Sequence, residues 1–318
     1  MSPLSPPAPR LGVHLPLGGG LLRAAERAGA IGAETIQVFA DNPAAWQRRA
    51  APPAHLEAFR ARLEAFDIRP VAIHASYLVN LAGPDPGFRA SSIRVLESDL
   101  RAAPGYGARF VNVHTGSHRG TTVAEGIARV ADGLAEALAE VNGTAEGAML
   151  VLENSAGGGW SLGATVEQTA EIANAAAARG VAPERLGFCL DTAHAWGAGV
   201  RMDDPDAVDD LLERFDRLIG LGRLVMVHLN DSRSERGSRQ DRHEHIGGGV
   251  MGVAGLHRLM THPAMAGTPM LLEVPMDDGY DEINLRRAAA VLAGVPLDPL
   301  PPEAFEISSR ANRSPAPS

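Results

Sequence analysis

Eight short β-like runs alternate with longer Ala/Leu/Arg/Glu runs of helical period, and the order never breaks along the chain. The strand candidates are Leu11–Leu17, Glu34–Ala40, Pro70–His74, Arg109–His114, Met149–Glu153, Leu186–Asp191, Leu224–His228 and Pro269–Glu273. A helix candidate follows each: Gly20–Gly29, Ala54–Phe66, Ser91–Ala103, Thr122–Val141, Thr165–Arg179, Pro205–Ile219, Val253–Met260 and Glu282–Leu292. Such a series predicts an α/β protein built as a single (β/α)8 TIM barrel, and 318 residues is an ordinary length for one. A doubly wound open sheet is the other arrangement of such units, but no GxGxxG follows the first strand. Residues 1–10 read as a Pro-rich leader, 11–297 as the barrel, and 298–318 as a Pro/Ser/Arg tail.

What ends those strands narrows the chemistry. His14 lies in the first, and His74, His114, Glu153, Asp191, His228 and Glu273 close the third to the eighth. In a barrel these ends converge on one mouth, the face that carries active sites. One such residue alone would be an ordinary buried polar group, but six successive strands ending in a metal-ligand type point to a metal centre. Asp191-Thr-Ala-His194 adds an imidazole just past the sixth strand. The loop from His228 to His245, HLNDSRSERGSRQDRHEH, adds Asp241 and His243, two residues apart and able to grip one ion from an extended segment.

The candidate ligands are therefore His74, His114, Glu153, Asp191, His194, His228, Asp241, His243 and Glu273. At three or four per ion, with one carboxylate bridging, nine suffice for three metals. Imidazole and carboxylate without thiolate suit Zn²⁺ or Mn²⁺ better than Mg²⁺. Clustered divalent ions suit phosphodiester hydrolysis.

Composition sets the bounds. The single cysteine, Cys189, excludes an internal disulfide and Cys-based zinc fingers, and fits a reducing cytosol. No apolar run approaches the ~20 residues of a membrane span. All 29 basic residues are arginine, so only the α-amine could form a Schiff base, and lyase routes through lysine are excluded. The formal charge of −9 argues against a generic nucleic-acid coat. Three divalent ions would bring it to about −3 and make the mouth itself cationic.

Five segments in order resemble the endonuclease IV family: His74-Ala-Ser-Tyr-Leu-Val-Asn-Leu-Ala-Gly83, Val113-His-Thr-Gly-Ser-His118, Leu152-Glu-Asn-Ser-Ala-Gly157, Cys189-Leu-Asp-Thr-Ala-His-Ala-Trp-Gly-Ala-Gly199, and His228 to Gly249. The resemblance implies a trinuclear zinc apurinic/apyrimidinic endonuclease on a xylose-isomerase-like barrel. It implies that His74, His114 and Glu153 hold one zinc, that Glu153 bridges to a second held by Asp191, His228 and Glu273, and that His194, Asp241 and His243 hold the third. Glu153, or the water it shares with the metals, would be base or nucleophile, and Glu273 would orient the hydroxide. The implied reaction cuts 5′ to an abasic deoxyribose in double-stranded DNA, leaves a 3′-hydroxyl and trims blocked 3′ ends.

Tyr77 and Leu78 are candidate wedges into the duplex. Ser117 and His118, with Gly116, are candidate phosphate contacts, as are Arg239 and Arg242 flanking Asp241. Ala44 stands where relatives often carry an arginine that enters the base stack. A DNA-facing mouth needs free surface, so a monomer is expected, in the cytoplasm with the nucleoid of a bacterium. The rival reading is a divalent-metal sugar isomerase or epimerase of the same barrel superfamily. Glu153, Asp191, His228 and Glu273 alone would serve that chemistry, leaving the other five ligands without a purpose.

Overall fold

In the computed structural model, residues 7–141, 147–275 and 279–311 are described. Part of the expected leader (1–6) and the end of the expected tail (312–318) lie outside the described residues. Eight parallel strands close into a barrel: β1 (Arg10–His14), β2 (Thr35–Phe39), β3 (Val71–His74), β4 (Ala108–His114), β5 (Met149–Glu153), β6 (Leu186–Asp191), β7 (Leu224–His228) and, after a two-stranded hairpin of β8 (Asp231–Ser232) and β9 (His243–Glu244), β10 (Pro269–Leu272). The helices α1 (Leu21–Ala30), α2 (Leu56–Ala65), α3 (Pro86–Tyr106), α4 (Val123–Val141), α5 (Val166–Ala177), α6 (Thr192–Gly197), α7 (Pro205–Leu218), α8 (Ala254–Thr261), α9 (Tyr280–Leu292) and α10 (Pro302–Ala311) complete the chain.

Local chemistry sets the helix ends. Asp85 caps α3 by accepting from the Phe88 N–H, with Pro86 in the first turn. Thr122 and Glu125 form a reciprocal capping box ahead of α4. Gly107 closes α3 at φ 67°, where a side chain would be strained. Each shell helix then turns one apolar stripe to the barrel, as with Leu21, Ala24, Ala25 and Ala28 of α1 or Val208, Leu212 and Phe215 of α7.

The strands bury both faces, and the division between them positions the site. Ile36, Val38, Ile73, Val111 and Leu152 belong to the large cluster between sheet and helices. Ala72, Phe110, Val151, Cys189, Met226 and Leu271 form a separate cluster that fills the barrel interior. Side chains alternate with period 2, so the residue two positions after Ala72, Val151, Cys189, Met226 or Leu271 also points inward, one layer nearer the mouth. Those residues are His74, Glu153, Asp191, His228 and Glu273.

Several boundaries differ from the sequence reading. The first strand ends at His14 rather than Leu17, and α3 begins at Pro86 and runs to Tyr106. The predicted long loop after His228 contains the β8–β9 hairpin, because Asp231 pairs with Glu244 and Ser232 with His243. Helix α6 was not anticipated; its six residues are too few to display a helical period. Within the Pro/Ser/Arg segment, α10 packs back on the barrel, with Ala304 buried and its carbonyl 3.1 Å from His245 Nε2.

Candidate metal centre

Parallel register brings the strand ends to a common height: His114 pairs with Glu153, and Asp191 with His228. Glu153 sits at the hub. Its Oε2 lies 3.5 Å from His74 Nε2 and 3.7 Å from His114 Nδ1, and its Oε1 lies 3.1 Å from His194 Nδ1 and 3.2 Å from His228 Nδ1. Glu273 Oε2 is 3.1 Å from the same His228 nitrogen.

Two local devices complete the ring. Asp191 ends β6 and caps α6, its Oδ1 accepting from the His194 N–H at 2.8 Å, so the short helix turns the His194 ring back over the mouth. The β8–β9 hairpin carries His243, whose Nε2 lies 3.5 Å from Asp191 Oδ2. Asp241 reaches His194 Nε2 at 3.2 Å and His243 Nε2 at 3.0 Å. The base of the hairpin is pinned by buried Asp231, which accepts from the N–H groups of Ser232, Gly249 and Met251. A Cβ on Gly249 would lie 2.3 Å from the Ser232 carbonyl oxygen, so this close approach requires glycine.

Three groups result, and within each the ligand atoms lie within 4.8 Å of one another: His74, His114 and Glu153; Glu153, Asp191, His228 and Glu273; and Asp191, His194 and His243. Glu153 belongs to the first two and Asp191 to the last two, so two carboxylates are shared where the sequence reading had one.

Ring anchoring says which nitrogens are free to bind. His74, His194 and His243 donate from Nδ1 to the carbonyls of Ala75, Asn154 and Glu273. His228 donates from Nε2 to Gln37 Oε1 at 3.2 Å. In the neutral ring the opposite nitrogen of each carries the lone pair, aimed at the cluster, which is how imidazole is prepared to exchange a proton for a metal. His228 Nδ1, His243 Nε2 and Glu153 Oε1 are buried and make no hydrogen bond. Imidazole and carboxylate atoms without hydrogen-bond partners, converging at the barrel mouth, fit divalent cations, and the nine residues suit the implied zinc ions.

The electrostatics agree. Burial raises the pKa of Glu153, but His114 and His228 outweigh it and hold the carboxyl well below its ordinary range. Burial lowers that of His194, yet Asp191 and Asp241 hold it well above normal. The carboxylates and imidazoles of the cluster thus favour one another's charged forms.

Three supporting residues escaped the sequence reading or entered it only in passing. Gln37 of β2 and Asn112 of β4 are fully buried polar residues within apolar strands; Asn112 donates to Glu153 Oε2 at 2.6 Å. Asn230 donates to Asp191 Oδ2 at 2.7 Å and accepts from the Glu273 N–H at 2.8 Å. The signal for Gln37 and Asn112 was an inward polar residue in TIQVF and RFVNVH. His14 Nδ1 meets Glu273 Oε1 at 3.0 Å.

The DNA-contact candidates lie farther out. Tyr77 is 65% exposed, its ring edge-on to Phe39, and Leu78 beside it is half-buried. Ser117 is half-buried, whereas His118 is buried. Arg239 and Arg242 are exposed on the hairpin loop.

Residues 25–294 match the family described as the xylose isomerase-like TIM barrel. A probable endonuclease 4 of Solibacter usitatus is 39% identical, over 92% of this chain and 99% of its own length. The chain belongs to the endonuclease IV family. Another relative of that name, from Halorhodospira halophila, is 39% identical over 89% of this chain and 94% of its own. The crystal structure of endonuclease IV from Thermus thermophilus has a TM-score of 0.78 at 38% identity, covering 90% of this chain and 100% of that one. A D-tagatose 3-epimerase-like protein reaches a TM-score of 0.66 at 17% identity, a likeness of fold alone. The isomerase reading thus has only distant support, while endonuclease IV relatives match along nearly their whole length.

Proposed function

We propose that this chain is a metal-dependent AP endonuclease of the deoxyribonuclease IV type that hydrolyses the phosphodiester 5′ to an abasic site in duplex DNA, leaves a 3′-hydroxyl, and trims blocked 3′ ends. Family membership supports the reaction class. The observation that carries the reading is the gathering of eight imidazoles and carboxylates into three groups with shared carboxylates, with Asp241 as a ninth against His194 and His243. A sugar isomerase would need only Glu153, Asp191, His228 and Glu273. His74, His114, His194, Asp241 and His243 gain a purpose when three ions are held.

Zinc, with manganese an acceptable substitute, supplies cationic charge for a bound phosphate and lowers the pKa of water. The chain does the rest. Glu153, buried at the hub, takes the proton from the attacking water, and Asn112 fixes its carboxylate plane. Glu273, held by Gln37 and His14, orients the nucleophile. Tyr77 and Leu78 stand at the rim as wedges, while Ser117, His118, Arg239 and Arg242 contact phosphates. The enzyme acts as a monomer with the chromosomal DNA of the cytoplasm. No helix among the described residues is long and apolar enough to cross a membrane.

The test is cleavage of a duplex carrying one tetrahydrofuran abasic analogue, which blocks elimination but permits hydrolysis, together with metal content. A 3′-hydroxyl product and three ions per chain are expected. His243→Ala should retain two ions and lose about 10²-fold or more in cleavage rate. One ion per chain in the wild type and no cut would overturn the proposal. Tyr77→Ala should raise the KM for this duplex about tenfold, the scale of one lost aromatic–base contact, with metal content unchanged; an unchanged KM would remove Tyr77 from the interface.

A further inference from the structure

We infer that Gln37 is a positioning residue that presets two ligands of the central ion at once. The inference rests on the reading that Glu153, Asp191, His228 and Glu273 hold that ion. Gln37 is fully buried in β2, the one barrel strand besides β1 whose end supplies no proposed ligand. Its neighbours Ile36 and Val38 face the helices, so Gln37 projects into the barrel. There its two ends do different work. The Oε1 accepts from His228 Nε2–H at 3.2 Å, and the Nε2 donates to Glu273 Oε1 at 2.7 Å.

The acceptor end fixes the His228 tautomer. A proton on Nε2 leaves the Nδ1 lone pair free, and that atom lies 3.2 Å from Glu153 Oε1 and 3.1 Å from Glu273 Oε2 with no hydrogen bond of its own. The donor end, with His14 Nδ1 at 3.0 Å, occupies Glu273 Oε1 and leaves Oε2 directed at the shared space. An amide is the side-chain group that suits both tasks: a carboxylate would repel Glu273, and an apolar residue would leave His228 Nε2 without a partner and Glu273 Oε1 with His14 alone. Hydrogen-bond partners of metal ligands commonly contribute about 10- to 100-fold in metal affinity.

The experiment is zinc release from the fully loaded protein to a chromophoric chelator, read as the affinity of the last-released ions. Gln37→Met, close in volume, is expected to weaken one ion by about 10- to 100-fold and leave the other two as in the wild type. The melting temperature of the stripped protein controls for packing, since a purely structural role would lower it without altering zinc competition. Gln37→Glu carries the same test where Gln37→Met fails to fold. Zinc affinities within twofold of wild type in the folded variant would overturn the inference while leaving the trinuclear reading intact. A wild type that binds no zinc at this position would overturn both.

Discussion

Replacing Glu153 by glutamine is expected to reduce cleavage of the tetrahydrofuran duplex by about 10⁴-fold or more, the upper end of what one acid–base group contributes. Five functional side chains surround Glu153 in the mouth. Its two oxygens face His74, His114, His194 and His228, and Asn112 donates to it. Glutamine keeps the volume but removes the charge that two of the three ligand groups share, so the variant should also hold fewer than three ions. Single-turnover rates with metal analysis check both effects. A variant within tenfold of wild type would place the base elsewhere, with Glu273 next in line.

The second large effect is on stability, and it depends on pH. In the stripped protein, burial lowers the His243 pKa, but Asp241 and Asp191 outweigh it and lift it from 6.5 to about 9. His194 and His228 are raised in the same sense against their burial. A histidine raised on folding contributes stability that is complete below its unfolded pKa and lost as pH climbs through the folded value. The window for His243 is therefore pH 6.5 to about 9, and the loss roughly 3 kcal/mol for that residue alone. Glu153 and Glu273 are depressed, so their contribution is present above the unfolded value of 4.5 and is lost only in acid. Together these five groups stabilise the stripped protein most between about pH 4.5 and 6.5.

When zinc is bound the ligands carry no exchangeable protons, so the loaded protein should lack the alkaline decline. Its advantage in melting temperature over the stripped form should widen by roughly 5–10 °C between pH 6.5 and 9. Zinc uptake at pH 7 should release protons, measurable in a weakly buffered titration. Parallel melting curves for the two forms across this range would contradict the reading of the imidazoles as ligands.

Residue order by itself determined the architecture and the cast of the site. Strand periodicity is local, so a ligand type two positions beyond an apolar inward residue, as in Val151 and Glu153 or Met226 and His228, already states which way it points. Repetition around a closed sheet then makes convergence unavoidable. The DTAH segment added His194 as a candidate ligand, and GSRQDRHEH added Asp241 and His243. Short α6 and the β8–β9 hairpin were not legible, since six helical residues or a two-residue strand display no period.

Only the tertiary structure decided how these residues act on one another. Gln37 is 191 positions from His228 and 236 from Glu273, so no pattern in the sequence ties them together. The same holds for the sharing of Asp191 between two groups, for the imidazole nitrogen each ring turns inward, and for the return of α10 to His245. A strand's period fixes the face of a side chain, but its partners are set by the closure of the barrel, which brings distant strand ends within hydrogen-bonding reach.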